Sequence, residues 1–338
     1  MSGPLPWHNP QFVGLLARRD RLPHAVLFRG PEGIGKLAFA EAVAQALLCE
    51  QPAATGEACG TCPGCVWSIQ GSHPDLRRLE PESAEESAEP GEAREKKGGL
   101  HIDIGQVRAL ADFISLSTHR GRARVVIIHP AETLNVPAAN ALLKCLEEPP
   151  PRTHFLLVAH RWHQLLPTIK SRCQQVVLPL PAPPLALEWL ARQGAAAPEL
   201  ALAHAGGAPL RAARYDEEYW QVRARLLELL VGREFDALAA AEELRDVAPV
   251  VAVELLQKWS CDLALQKTSG SVRYNPDQAA ALAAVAARLD ALAILRFHRR
   301  MVRLQRVTRH PLNARLFLED LFLACAELLR GTGLRQAA

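Results

Sequence analysis

The first half of the chain alternates short, wholly apolar runs with amphipathic stretches, whereas the second half holds amphipathic stretches almost alone. Residues 25–28 are apolar throughout and too few for a helix; residues 36–49 then repeat apolar positions at helical spacing (Leu37, Ala40, Val43, Ala44, Leu47). A helix is predicted over 104–116, a buried strand over 125–128 and a helix over 138–146, ended by three prolines at 149–151. A strand at 155–158, a helix at 165–171 and a strand at 176–178 follow. Strands alternating with helices predict a parallel α/β sheet. Beyond the proline-rich 179–184 the pattern changes: 185–213 reads as a small helical unit, and 219 to about 334 as helical almost throughout. The predicted domains are therefore 1–179, 180–213 and 214–338, with no internal repeat.

Composition narrows the class. With 49% apolar residues, 22% charged residues and a net charge of +3 over 338 residues, the chain reads as globular, and bulk charge gives no sign of nucleic-acid binding. The N-terminal Met-Ser-Gly-Pro-Leu-Pro-Trp has no basic or apolar leader pattern, and no run approaches the roughly 20 apolar residues of a membrane span, so a cytoplasmic protein without membrane contact is expected. In that compartment eight cysteines point to metal binding or free thiols. Residues 80–99 are acidic, rich in Ser, Ala and Glu and without periodicity, which predicts a disordered surface insertion.

The turn between the first strand and helix is Gly30-Pro-Glu-Gly-Ile-Gly35-Lys36, the first seven positions of a phosphate-binding P-loop. Gly30, Gly33 and Gly35 let backbone amides face phosphates, and Lys36 supplies a positive point charge. The next position, where a Ser or Thr hydroxyl would hold Mg²⁺, is Leu37. The strand that would end in metal-binding Asp and water-orienting Glu ends instead in His129-Pro130-Ala131-Glu132, with Glu132 read as an exposed carboxylate. ATP hydrolysis is therefore not expected, and nucleotide binding by the loop stays open.

Cys49, Cys59, Cys62 and Cys65 form C-x9-C-x2-C-x2-C. Two successive C-x2-C steps gather thiolates on one tight loop, and a cysteine at a helix end supplies a fourth corner, a set suited to closed, tetrahedral, structural Zn²⁺. Cys145, Cys173, Cys261 and Cys325 lie in periodic segments and are expected to be buried apolar residues.

Together with Arg21-Leu-Pro-His-Ala25, Ser72-His-Pro-Asp75, Ala138-Ala-Asn-Ala-Leu-Leu-Lys144, Leu146-Glu-Glu-Pro-Pro150, Thr168-Ile-Lys-Ser-Arg-Cys173 and Asn313-Ala-Arg-Leu-Phe-Leu-Glu319, these features resemble the delta-prime subunits of bacterial DNA polymerase III clamp loaders, relatives of the AAA+ ATPases. The resemblance spans nearly the whole chain. It implies an AAA+ P-loop domain with a zinc insert, a small helical lid and an all-α collar. It also implies a hetero-pentamer with gamma/tau-type ATPase and delta-type subunits, acting on the sliding clamp and primer-template DNA. By motif match, Arg172 would be an arginine finger reaching the neighbour's ATP. Where ATP-hydrolysing relatives carry a lid arginine, Gly206-Gly207-Ala208 leads into Pro209, and Arg211 is out of register. A non-hydrolysing stator is thus expected. An active AAA+ motor is the first alternative, opposed by Leu37, His129 and Pro130. A P-loop kinase lacks the same Mg²⁺ ligands, and a zinc-dependent DNA-binding module would want basic residues that are missing between Cys59 and Cys65.

Overall fold

The structure is a computed structural model and describes residues 3–81, 101–115, 118–119, 122–232, 234–308 and 313–330; the acidic insertion, from residue 82 on, lies outside them. The chain divides into two units, Met1–Leu185 and Ala186–Ala338.

In the first unit, α1 (Asn9–Leu16) precedes β1 (Ala25–Arg29), α2 (Lys36–Leu48), α3 (Pro63–Gln70), β2 (Leu76–Leu79), α4 (Ile104–Ser115), β3 (Arg124–Ile128), α5 (Val136–Glu147), β4 (Thr153–Ala159), α6 (Pro167–Arg172) and β5 (Gln174–Val177). The five strands form one parallel sheet in the order β2-β3-β4-β1-β5. β1, β3 and β4 are nearly wholly buried because helices cover both faces, which is why they read as unbroken apolar runs. β2 is a strand that apolar patterning missed: its two central residues, Arg77 and Arg78, are exposed at the sheet edge. Apolar residues of the strands pack against α4 and α5 through Val107, Leu110, Leu142 and Leu146. The Asn135 side chain caps α5 by accepting from the Ala138 amide at 2.8 Å.

The second unit is helical: α7 (Pro183–Arg192) at its start, then α8 (Pro198–His204), α9 (Pro209–Ala212), α10 (Glu217–Val231), α11 (Ala237–Glu243), α12 (Pro249–Ser269), α13 (Ala279–Arg288), α14 (Ala291–Val307) and α15 (Ala314–Leu329). The core forms around α12, whose Leu256, Trp259 and Leu263 meet Ile294, Met301, Leu318 and Phe322. A buried polar network ties α8 to α10 and α12. The His204 ring donates from Nδ1 to the Tyr274 carbonyl (3.0 Å) and meets the Tyr219 hydroxyl through Nε2 (3.0 Å). Lys258 Nζ donates to Glu254 (2.7 Å) and to the hydroxyls of Tyr215 (2.8 Å) and Tyr219 (3.1 Å). Arg211 also pairs with Glu254, at 2.9 Å, so it has a structural partner within this unit.

One expectation changes here. Cys173 and Cys325 are buried, but Cys145 and Cys261 are only half-buried. Along α13 and α14, Arg288, Arg296, Arg299 and Arg303 are exposed, while Arg300 is tied to Asp320 at 3.1 Å and Glu327 at 3.5 Å. Among the described residues no single helix is long and apolar enough to cross a membrane.

Candidate functional site: a P-loop, a cysteine cluster and a surface arginine

β1 delivers the chain to Gly30 between its neighbours β4 and β5. A Cβ on Gly30 would collide with the Leu178 carbonyl, so close packing at the end of β5 demands glycine here. Gly33 (φ 79°) and Gly35 (φ 90°) take the left-handed conformation that turns the loop into α2. The Trp7 indole donates to the Ile34 carbonyl at 2.9 Å and fastens the turn.

Lys36, the predicted phosphate-binding amine, is buried, and its Nζ donates to the Pro31 carbonyl within the same loop. Burial lowers its pKa to about 8, against the opposite pull of Glu132 and Glu32. His8, with both ring nitrogens buried and unpartnered, is driven down to about 4 by burial and by Lys36. Across the loop, His129 and His160 meet Nε2 to Nε2 at 3.1 Å. Both imidazoles are held neutral: burial lowers His129, and burial followed by the Lys36 charge brings His160 to about 4. One neutral ring then donates to the other.

Glu132 is half-buried rather than exposed as expected. Its carboxylate accepts from the backbone amides of His160 (3.1 Å) and Arg161 (2.9 Å), locking the turn after β3 to the end of β4. Where a P-loop hydrolase would place a hydroxyl and carboxylates around Mg²⁺, this pocket presents Leu37, two neutral imidazoles and a carboxylate engaged by backbone amides. Patterning flagged His129 but missed His160. Each histidine directly follows an observed strand, and only the parallel pairing of β3 and β4 brings those two ends to the same sheet edge.

The four cysteines do come together. All four Sγ atoms lie within 4.8 Å of one another. Cys49 and Cys59 are 3.6 Å apart, and the Cys49–Cys62 and Cys59–Cys65 pairs are each 3.9 Å apart. A tetrahedron of sulfurs with metal–sulfur bonds of about 2.3 Å has edges of about 3.8 Å, so the donor set fits a four-thiolate ion and is far too open for disulfides. Backbone amides of Glu50, Cys59, Cys62 and Cys65 point at the sulfurs at 3.3–3.4 Å. Amide donors, first those of Thr61 and Cys62, bring Cys59 down to about 6, whereas burial raises Cys49 and Cys65.

Sequence sets this geometry. Cys49 caps the C-terminus of α2, Cys62 caps the N-terminus of α3, and Pro63 opens that helix. Gly64 lets α3 approach the Leu48 carbonyl, which a Cβ would meet at 2.8 Å. Arg122 clamps the Cys49 carbonyl with two N–H groups at 3.1 and 2.7 Å. What was read as a loop over 59–65 thus becomes a helix from Pro63 onward.

Arg172 stands apart from both groups, as the last residue of α6. Its guanidinium pairs with Glu147 at the end of α5 and donates to the Thr168 carbonyl at 3.0 Å. The side chain is 34% exposed, so it is available to a partner at the surface.

A family model described as DNA polymerase III, delta subunit, matches residues 11–182, and one described as DNA polymerase III, delta subunit, C terminal, matches 217–327. The DNA polymerase III subunit delta' of Pseudomonas aeruginosa strain PAO1 is 42% identical over 280 residues, covering 81% of this chain and 79% of that one. The subunit delta' of Escherichia coli K12 is 34% identical over 231 residues, covering 67% of this chain and 65% of its relative. A gamma subunit-related protein of DNA polymerase III from Thermotoga maritima aligns structurally over 94% of this chain and 99% of its own, at 20% identity and a TM-score of 0.45. On the two family models and the identity to the Pseudomonas protein, the chain belongs to the delta-prime subunit family of DNA polymerase III.

Proposed function

We propose that this chain is the non-hydrolysing stator of a clamp loader, a rigid subunit that presents Arg172 to the ATP of a neighbouring motor subunit. One observation carries the first half: the P-loop amine of Lys36 is turned onto its own loop at Pro31, beside Leu37, His129 and a Glu132 already engaged by backbone amides. A hydrolase needs Mg²⁺ ligands and a positioned water at that place. Family membership supports the second half, together with the surface placement of Arg172. A guanidinium delivered from outside stabilises negative charge developing on a transferring γ-phosphoryl group.

The four thiolates of Cys49, Cys59, Cys62 and Cys65 would hold a structural Zn²⁺, which cross-links the end of α2 to the start of α3. In this reading residues 180–213 serve as a lid and 214–338 as the collar of a cytoplasmic hetero-pentamer with gamma/tau-type and delta-type subunits. Through that assembly the chain acts on the sliding clamp and primed DNA.

The test is ATP turnover by the purified chain, alone and then with motor and clamp-opening subunits, clamp and primed DNA. The chain alone should be inert, and turnover of the full assembly should fall by about 10³-fold per affected site on Arg172→Ala with assembly intact. Turnover by the isolated chain that Lys36→Ala abolishes would instead make it a motor subunit.

A further inference from the structure

The Arg172 guanidinium is not waiting free. It is held by two elements: the Glu147 carboxylate closes on it from the last residue of α5, while Thr168 (3.0 Å) and Ser171 (3.4 Å) accept from within α6. The position of Glu147 is unfavourable for its own helix. A carboxylate in the last turn faces the negative end of the helix dipole, where a cation is the stabilising choice, and another acid, Glu148, comes next. Local helix physics therefore does not explain this glutamate, and its contact with Arg172 does. The two side chains are 34% and 48% exposed, so the pair can open toward a partner without unpacking the core.

We propose that Glu147 is a positioning residue that acts as a phosphate stand-in: it holds Arg172 in a retracted, ordered state until the triphosphate of the neighbouring subunit takes its place. This inference rests on the arginine-finger reading above. A carboxylate and a phosphoryl group offer a guanidinium the same pair of anionic oxygens, so engagement exchanges one fork for another. A pair this exposed is weak, and its opening holds back nucleotide engagement by about two- to five-fold. Glu147 touches no reacting atom in this scheme; it sets how readily Arg172 is released.

Steady-state ATP turnover of the reconstituted assembly, titrated with ATP, tests the proposal. Glu147→Gln keeps size and polarity but removes the charge; it should lower KM for ATP about two- to five-fold while kcat stays within about twofold. Glu147→Asp should restore the parental KM, and the difference between parent and Gln variant should close in high salt, where exposed charges are screened. Thermal melting of each variant accompanies the kinetics. An unchanged KM in Glu147→Gln, or a fall in kcat together with a lowered melting temperature, overturns the stand-in role and leaves Glu147 a packing residue. Arg172→Ala separates the two ideas. If it is silent, the finger reading falls and the stand-in with it; if it slows turnover while Glu147→Gln is silent, only the stand-in falls.

Discussion

Replacing Lys36 by Met should stabilise this protein at neutral pH, the opposite of what removing the lysine of a P-loop suggests. Holding the buried amine at about 8 rather than its ordinary 10.5 costs the folded chain roughly 3 kcal/mol at pH 7, at 1.36 kcal/mol per pH unit. Methionine fills a similar volume but gives up the bond to Pro31, which the uncharged amine would also make and which contributes about 1 kcal/mol. The net expectation is a gain of about 2 kcal/mol, the difference between those two magnitudes. Its pH dependence is the sharper signature. Between about 8 and 10.5 the unfolded lysine keeps a proton that the folded one has lost, so parental stability rises with pH across that window while the variant has no such slope. The advantage of Lys36→Met should therefore shrink above pH 8 and reverse before pH 10.5. Urea unfolding followed by tryptophan fluorescence reads this, since the Trp7 indole is bonded to Ile34 in the same loop. A variant less stable at pH 7, or a difference that does not change with pH, would refute the reasoning.

Two further outcomes are expected. Protein prepared without chelator should contain one zinc per chain by elemental analysis, and Cys65→Ser should lose the metal and at least about 3 kcal/mol of stability in the first unit; metal-free protein of undiminished stability would show the cluster to be four thiols only. Burial holds His204 down at about 3 against an ordinary 6.5, so the unfolded chain takes up a proton below pH 6.5 that the folded chain refuses, and stability should fall with pH until about 3. His204→Gln should remove about 1.4 kcal/mol per pH unit of that slope, measured by urea midpoints from pH 7 to 5; an unchanged slope would mean the ring protonates in place.

The parts of the fold legible in the chain were those whose signal is local. β1, β3 and β4 are buried on both faces, so each stands out as an apolar run between breakers. β2 gave no such signal, because four residues at a sheet edge with arginines in the middle carry neither a run nor a measurable alternation. The start of α3 was hidden for another reason: Pro63 is a good first helical residue, but a stretch dense in Cys, Gly and Pro reads as loop. The cysteine cluster was recoverable because its ligands are close in sequence. The partners of Arg172 and His129 were not, since Glu147 is 25 residues away and His160 is 31, and only helix and strand packing brings them together.

Gly30 has a separate consequence for how such chains are recognised. Its hydrogen is required by the Leu178 carbonyl at the end of the neighbouring strand, whether or not a phosphate ever enters the loop. A glycine demanded by the carbonyl of a strand end is kept whatever chemistry the loop performs. The same holds for Gly35, whose left-handed turn launches α2. Selection for folding alone is enough to keep a nucleotide signature in this sequence, so a count of glycines says nothing by itself about whether the loop holds a phosphate.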